Sequence, residues 1–255
     1  MTKPRVAIFD FACCEGCQLQ IVNLEEDILG LLNLVEPVEW REAMAEQSET
    51  YDIAIIEGSI TRPEDEQRLY KIRERAKVLI AIGACAHTGG VNKLKNNFEL
   101  NEVKRFVYKD AAGMAHLNTA AVKAVHEVVK VDFTVPGCPI DRGEFGEVLR
   151  AIVMGRTPVI PDQSVCVECK RKDVACRYRY NEVCLGPVTL AGCGARCPSK
   201  GHWCYGCRGY VADPNVNAAK DVMELYGRTP ADLKSRMRLF GSGQPGSEEE
   251  TTYEL

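Results

Sequence analysis

The sequence has no apolar run approaching the ~18 residues needed to span a bilayer. Met1 to Arg5 lead directly into the apolar Val6-Ala7-Ile8-Phe9, without the charged-then-apolar leader of a secretory signal. Aromatic residues make up only 7%, which offers little for base-stacking platforms. The formal net charge of -4 gives no electrostatic case for nucleic acid or an anionic membrane as partner. Its four histidines, His87, His116, His126 and His202, fall in no catalytic or zinc-binding motif and read as surface or packing residues. No G-x-G-x-x-G follows the first apolar run, so nothing marks a dinucleotide site. These absences point to the cytoplasm, where thiols stay reduced and a disulfide framework is not expected. What is present is an ordinary globular composition, 45% hydrophobic and 27% charged, with 13 cysteines. An odd number of closely spaced thiols in a reducing compartment signals metal ligands or redox-active groups.

The expected fold class is α/β, a flavodoxin-like doubly wound parallel sheet with a C-terminal loop-rich iron–sulfur domain. Apolar runs at 6–10, 53–57, 78–82 and 131–135 read as strands with both faces covered. Between and after them, 18–32, 63–75, 119–129 and 142–154 read as helices, the second opened by Pro63 and three acids. Strands alternating with helices favour the doubly wound arrangement. The expected division is 1–160 for this domain, 161–240 for the iron–sulfur domain and 241–255 for a mobile tail. Eight of the 13 cysteines fall between Val165 and Gly209, among glycine, proline and basic residues with little apolar periodicity. Such a segment needs something besides a hydrophobic core to organise it. Short helices are expected after it, near 218–226 and 230–239.

In the first domain the cysteines follow strands. Cys13, Cys14 and Cys17 come after the first strand, Cys85 follows Gly83-Ala84, and Cys138 sits in Pro136-Gly137-Cys138-Pro139. Loops leaving parallel strands open onto one crevice at their carboxyl ends. Cys14, Cys17, Cys85 and Cys138 can therefore supply the four thiolates of a 4Fe–4S cluster. Cys13 is one thiol too many, and stands as a neighbour of the site or as an exchange partner for Cys14. Glu15 and Glu57, on adjacent loops, read as structural or interface hydrogen-bonding groups rather than proton carriers.

The later eight divide in order into Cys166, Cys169, Cys176 and Cys184, then Cys193, Cys197, Cys204 and Cys207. Eight thiols suit two more 4Fe–4S clusters with none left over. Two structural zinc sites would use the same spacings. Cys197-Pro198 favours clusters, since a cysteine–proline step also ends bacterial ferredoxin motifs.

Together these motifs resemble the small subunits of nickel–iron hydrogenases: Cys14-Glu15-Gly16-Cys17, Ile56-Glu57-Gly58-Ser59-Ile60, Gly83-Ala84-Cys85, Pro136-Gly137-Cys138-Pro139, and the stretch from Cys184-Leu185-Gly186-Pro187 to Gly206-Cys207. The likeness covers about residues 5 to 210 and is nearest to the delta subunits of cytosolic, NAD(P)-linked sulfhydrogenases. It implies three 4Fe–4S clusters. Cys14, Cys17, Cys85 and Cys138 would hold the proximal one, Cys193, Cys197, Cys204 and Cys207 the medial one, and Cys166, Cys169, Cys176 and Cys184 the distal one. Cys166 stands where periplasmic relatives have a histidine, and Cys197 adds a fourth thiolate where many have a three-iron cluster.

The function implied is an electron relay without a catalytic centre of its own. It would connect a nickel–iron large subunit with flavin/iron–sulfur NAD(P)-reducing subunits. Alternatives are the small subunit of a deazaflavin-reducing or heterodisulfide-linked hydrogenase, the single-cluster quinone-reductase subunit, and a zinc-stabilised interaction module. The quinone-reductase subunit lacks the eight-cysteine extension.

Overall fold

A computed structural model describes residues 3–109, 118–213 and 216–241. Five strands form one sheet: β1 (Arg5–Asp10), β2 (Glu36–Trp40), β3 (Ile53–Glu57), β4 (Val78–Ile82) and β5 (Phe133–Val135). Their order is β2-β1-β3-β4-β5 and every pairing is parallel. This is the flavodoxin-like order expected from the sequence.

Alternate side chains along each strand enter different cores. Val6, Ile8, Ile55, Ile80 and Ile82 join one buried cluster with Ile21, Leu31, Phe145 and Leu149. Those last residues come from α1 (Gly16–Val22), α2 (Glu26–Leu32) and α6 (Arg142–Val153). Ala7, Phe9, Ala54, Ile56 and Leu79 face the other way, against Leu69 and Ile72 of α3 (Pro63–Arg75) and against Val125. Burial on both faces explains why β1, β3 and β4 read as unbroken apolar runs.

Three local expectations change. The single helix expected over 18–32 divides at Asn23 and Leu24, where Glu25 adopts φ 55°, a left-handed conformation that interrupts helical hydrogen bonding. The helix expected over 119–129 is absent apart from one 3-10 turn at Val125–Glu127. Its backbone donors go elsewhere: Ala120 N–H to Thr61 O, Val122 N–H to Asn96 Oδ1, and Lys123 N–H to Ile60 O. The last strand keeps only Phe133–Val135 of the expected 131–135.

α4 (Gly83–Thr88) starts at the end of β4, and α5 (Leu100–Tyr108) follows a 3-10 stretch. Beyond α6 come α7 (Val165–Arg171), α8 (Arg196–Ser199), α9 (Val216–Leu225) and α10 (Pro230–Gly241). The cysteine-rich stretch has a small core of its own, including Val165, Tyr178, Leu185, Val188, Met223 and Leu233. Among the described residues no helix is long and apolar enough to cross a membrane. The expected tail beyond Gly241 and the expectation for His116 lie outside the described residues.

Candidate functional site

The first group of thiols gathers at the carboxyl ends of β1, β4 and β5. After β1 the chain pairs with the loop after β3, Ala12 and Ser59 exchanging N–H···O bonds of 3.1 and 3.0 Å. Gly58 makes the approach possible, since a Cβ there would lie 2.7 Å from the Phe11 backbone. α1 then begins at Gly16, and the Glu57 carboxylate accepts the N–H groups of Cys17 and Gln18, each at 3.0 Å. Glu57, expected to be a structural or interface hydrogen-bonding group, caps this helix, and its own burial raises its pKa against those two stabilising bonds. Glu15 pairs with Arg41 at 2.7 Å.

Cys85 lies in the first turn of α4, whose Ala84 N–H donates to Gly137 O at 2.7 Å. That bond ties the β4 loop to the loop bearing Cys138. A Cβ on Gly83, at φ +81°, would come within 2.5 Å of Cys17 Sγ, so the backbone passes against a thiol where no side chain fits. Cys85 is pushed up to about 12 by burial and then by the negative charge of Cys138 and Cys14. Cys17 is raised by burial and by Glu57, while the Ile140 N–H favours its anion. Cys13, half-buried, is pushed up to about 12 by burial, with Glu57, Glu15 and Cys85 also raising it. The five thiols share one electrostatic neighbourhood.

The later eight also crowd one another, with Cys169 coupled to Cys193 and Cys204 to Cys184 across the two expected quartets. Burial, then Cys184, Cys169 and Cys176, push Cys166 up to about 12. Gly186 sits between two of these thiols: a Cβ there would lie 3.3 Å from Cys166 Sγ and 3.5 Å from Cys184 Sγ. Burial and the charges of Cys193, Cys138 and Cys197 raise Cys207 to about 11, opposed by the Cys138 N–H. Burial also raises Cys204, with Cys184 and Cys207 adding to it and Thr189 opposing.

Thiols of the different groups also influence one another. The Cys138 N–H favours the Cys207 thiolate. The Cys204 N–H donates to Cys184 Sγ at 3.2 Å.

Several residues that build this region carried no recognised signal in the sequence. Glu168, between Cys166 and Cys169 on α7, accepts N–H groups from Gly192 at 2.8 Å and Ala195 at 2.9 Å, holding the loop around Cys193. Arg208, next to Cys207, donates to Ala191 O, Pro136 O and the Glu144 carboxylate. Tyr178 donates to Cys184 O at 2.9 Å. A position inside or beside a cysteine motif was the available clue for Glu168 and Arg208. Of the histidines, His87 is half-buried and is depressed to about 4 by desolvation and then by His126, whose ring lies 6.5 Å away. His202 is exposed.

The donor set fits iron–sulfur clusters chemically. Crowded, buried thiols resist ionisation through desolvation and mutual repulsion, and a cationic metal centre relieves both. Glycines leave room at the sulfurs, and the Cys204 N–H donates to Cys184 Sγ, the kind of hydrogen bond that tunes a metal-bound thiolate. Among the described residues no three His, Cys, Asp or Glu side chains are grouped for a single metal ion.

An open parallel sheet with thiol-bearing loops at its strand ends, followed by a cysteine-rich extension, defines an α/β protein of the iron–sulfur oxidoreductase class. The family described as NADH ubiquinone oxidoreductase, 20 Kd subunit, matches residues 14–152, and the chain belongs to that family. Its relatives include the sulfhydrogenase 2 subunit delta of Pyrococcus furiosus, 37% identical over 86% of this chain and 92% of the relative. An iron-sulfur subunit of the F420-non-reducing hydrogenase of Archaeoglobus profundus is 27% identical over 78% of this chain and 79% of its own. Among solved structures, a chain of an NAD+-reducing [NiFe]-hydrogenase in the H2-reduced state superposes with a TM-score of 0.56 at 27% identity. It covers 63% of this chain and 96% of the other. The chain is a small subunit of the nickel–iron hydrogenase type.

Proposed function

We propose that this chain is the electron-relay subunit of a nickel–iron hydrogenase, holding three 4Fe–4S clusters. Cys14, Cys17, Cys85 and Cys138 would ligate the proximal cluster, Cys193, Cys197, Cys204 and Cys207 the medial, and Cys166, Cys169, Cys176 and Cys184 the distal. Such clusters supply one-electron transfer at potentials set by burial and hydrogen bonds to sulfur. The chain's own residues position and insulate them: Glu57 fixes the helix that presents Cys17, and Glu168 and Arg208 hold the loops around Cys193 and Cys207. The observation that carries the reading is contact between thiols of different expected sets: the Cys204 N–H donates to Cys184 Sγ at 3.2 Å, and Cys138 lies close enough to Cys207 to raise it. Isolated structural zinc sites would have no use for that continuity.

The proposed partners are a nickel–iron large subunit, which carries out the hydrogen chemistry, and flavin/iron–sulfur subunits linked to NAD(P). The likeness to sulfhydrogenase and NAD+-reducing hydrogenase chains supports that acceptor. Likeness to an F420-non-reducing hydrogenase subunit supports a second reading, in which the same relay serves a heterodisulfide-linked acceptor. The co-purifying subunits separate the two. Cytoplasmic location is part of the same proposal. Anaerobic analysis of the purified complex tests the relay: about 12 iron and 12 sulfide attributable to this chain support it. About four iron with about two zinc would overturn it.

A further inference from the structure

Cys176 is exposed, in contrast to the buried Cys184 of the same quartet. Around it, residues 170–181 carry Lys170, Arg171, Lys172, Arg177 and Arg179 against one carboxylate, Asp173, in a chain whose net charge is -4. Lys170, Arg171, Lys172 and Arg179 are all exposed. Arg177 is the exception, half-buried and paired with Glu182 at 2.7 Å, its guanidinium stacked 4.6 Å from the centre of the Tyr180 ring. Tyr180 is itself 58% exposed, and Arg228 adds a further cation to the face by donating to Asn181. The loop is held from beneath: Tyr178, 3% exposed, stacks on Tyr226 of the segment after α9 and anchors its hydroxyl on Cys184 O.

We propose that this face docks the acidic surface of a redox protein or subunit carrying an iron–sulfur or flavin centre. The proposal rests on the relay reading and adds the place of exit and the charge of the partner. A concentrated positive patch on a negatively charged molecule steers an oppositely charged partner to one orientation and repels other basic surfaces. Arginine and tyrosine are the side chains most enriched at the energetic centres of protein interfaces. Stacking on Arg177 pre-orders the Tyr180 ring, which lowers the entropy lost on binding. Cys176 is the exposed thiol among the later eight, and this surface surrounds it.

The test is zero-length carbodiimide cross-linking of the native complex under anaerobic conditions, with the linked peptides identified by mass spectrometry. Lys170 and Lys172 are expected to link to Asp or Glu of a subunit containing iron–sulfur or flavin, with a yield that falls between ~50 and ~500 mM salt. In the triple variant Lys170→Glu, Arg171→Glu, Arg179→Glu, partner retained on the affinity-purified complex should fall at least ~10-fold. The variant Lys71→Glu, Arg75→Glu on α3 should leave it unchanged. Links to a subunit without a redox centre, free acetylation of Lys170 and Lys172 in the complex, or salt-insensitive retention each overturn the docking. Iron and sulfide are measured on the wild-type complex first: a full complement with failed docking overturns this inference alone, whereas zinc in place of iron overturns the relay reading and the docking with it. The salt dependence of wild-type linking decides the matter even if the triple variant does not fold.

Discussion

Arg208 and Glu144, 64 residues apart, form a two-point ion pair with both nitrogen–oxygen contacts at 2.7 Å. The Arg208 side chain is 1% exposed and that of Glu144 12%. Glu144 sits on α6 of the parallel-sheet core, while Arg208 follows Cys207 in the cysteine-rich segment. The same guanidinium donates to Pro136 O at 2.8 Å, two residues before Cys138, and to Ala191 O at 2.9 Å, two residues before Cys193. One side chain therefore fixes loops from two proposed ligand sets, through four hydrogen bonds from the five N–H donors of its guanidinium.

Removing one partner of a buried pair strands the other charge, which costs about 3–5 kcal/mol. Arg208→Met is expected to destabilise the chain by about that much in denaturant unfolding. The double substitution Arg208→Met, Glu144→Leu should recover a large part of it, because no charge is then left buried. A single substitution indistinguishable from wild type would show that the pair holds nothing together.

Gly83 offers a sharper test of the first thiol site. Alanine there meets two penalties, a Cβ placed 2.5 Å from Cys17 Sγ and a backbone at φ +81°. Gly83→Ala should keep the rest of the fold and lose about a third of the iron, four atoms of twelve, with the matching electron paramagnetic resonance signal. Gly30→Ala on α2, where a Cβ meets nothing within 4 Å, should keep all the iron and gain up to about 1 kcal/mol of helix stability.

The sheet was legible where burial is two-sided. Ile53-Ala54-Ile55-Ile56 and Leu79-Ile80-Ala81-Ile82 are apolar on both faces and could be read directly. β2 escaped because Glu36-Pro37-Val38-Glu39-Trp40 is an edge strand, half polar, with a proline that only an edge accommodates. The segment after Thr119 looked helical because its apolar spacing suits a helix, yet its donors are taken by Thr61, Asn96 and Ile60, contacts that no local pattern contains. The cysteines were visible through spacing alone. Their supports were not: Glu168 meets Gly192 across 24 residues and Arg208 meets Glu144 across 64, so each is one more charge until the fold brings it home.

A pH effect is expected away from the thiols. Lys93, buried, contacts both Glu127 oxygens at 2.9 and 2.8 Å beneath α4. Burial pushes the Glu127 carboxyl up, but Lys93 and the Ala124 N–H outweigh it, and the net shift is below the ordinary carboxylate value. A depressed folded-state pKa contributes stability above the unfolded carboxyl range and loses it as pH falls through the folded value. Glu127→Gln should therefore flatten the acid limb of a stability–pH curve. The change should be about 1 kcal/mol or less, because the carboxylate is 35% exposed and partly screened. An acid limb as steep as that of wild type would assign the pH dependence to other groups.

The thirteen thiols divide most clearly by what each loses when replaced. Serine at Cys85, Cys197 or Cys176 removes one ligand from the proposed proximal, medial or distal set. Each variant should lose or convert one cluster, leaving about eight or more of twelve iron atoms and the other two signals. Cys13 differs. Its thiol is half-buried beside Glu57, Glu15 and Cys85, so burial and three negative neighbours all oppose its ionisation. Cys14, next in sequence, is exposed at the mouth of the site and electrostatically coupled to Cys85 and Cys138. Cys14 neighbours both Cys85 and Cys138, whereas of these two Cys13 neighbours Cys85 alone, and that position favours Cys14 as the ligand. Cys13→Ser is accordingly expected to retain about 12 iron, and Cys14→Ser to fall to about eight. The opposite pattern would exchange the two roles. Loss in both would mean that Cys13 holds the loop in place for its neighbour.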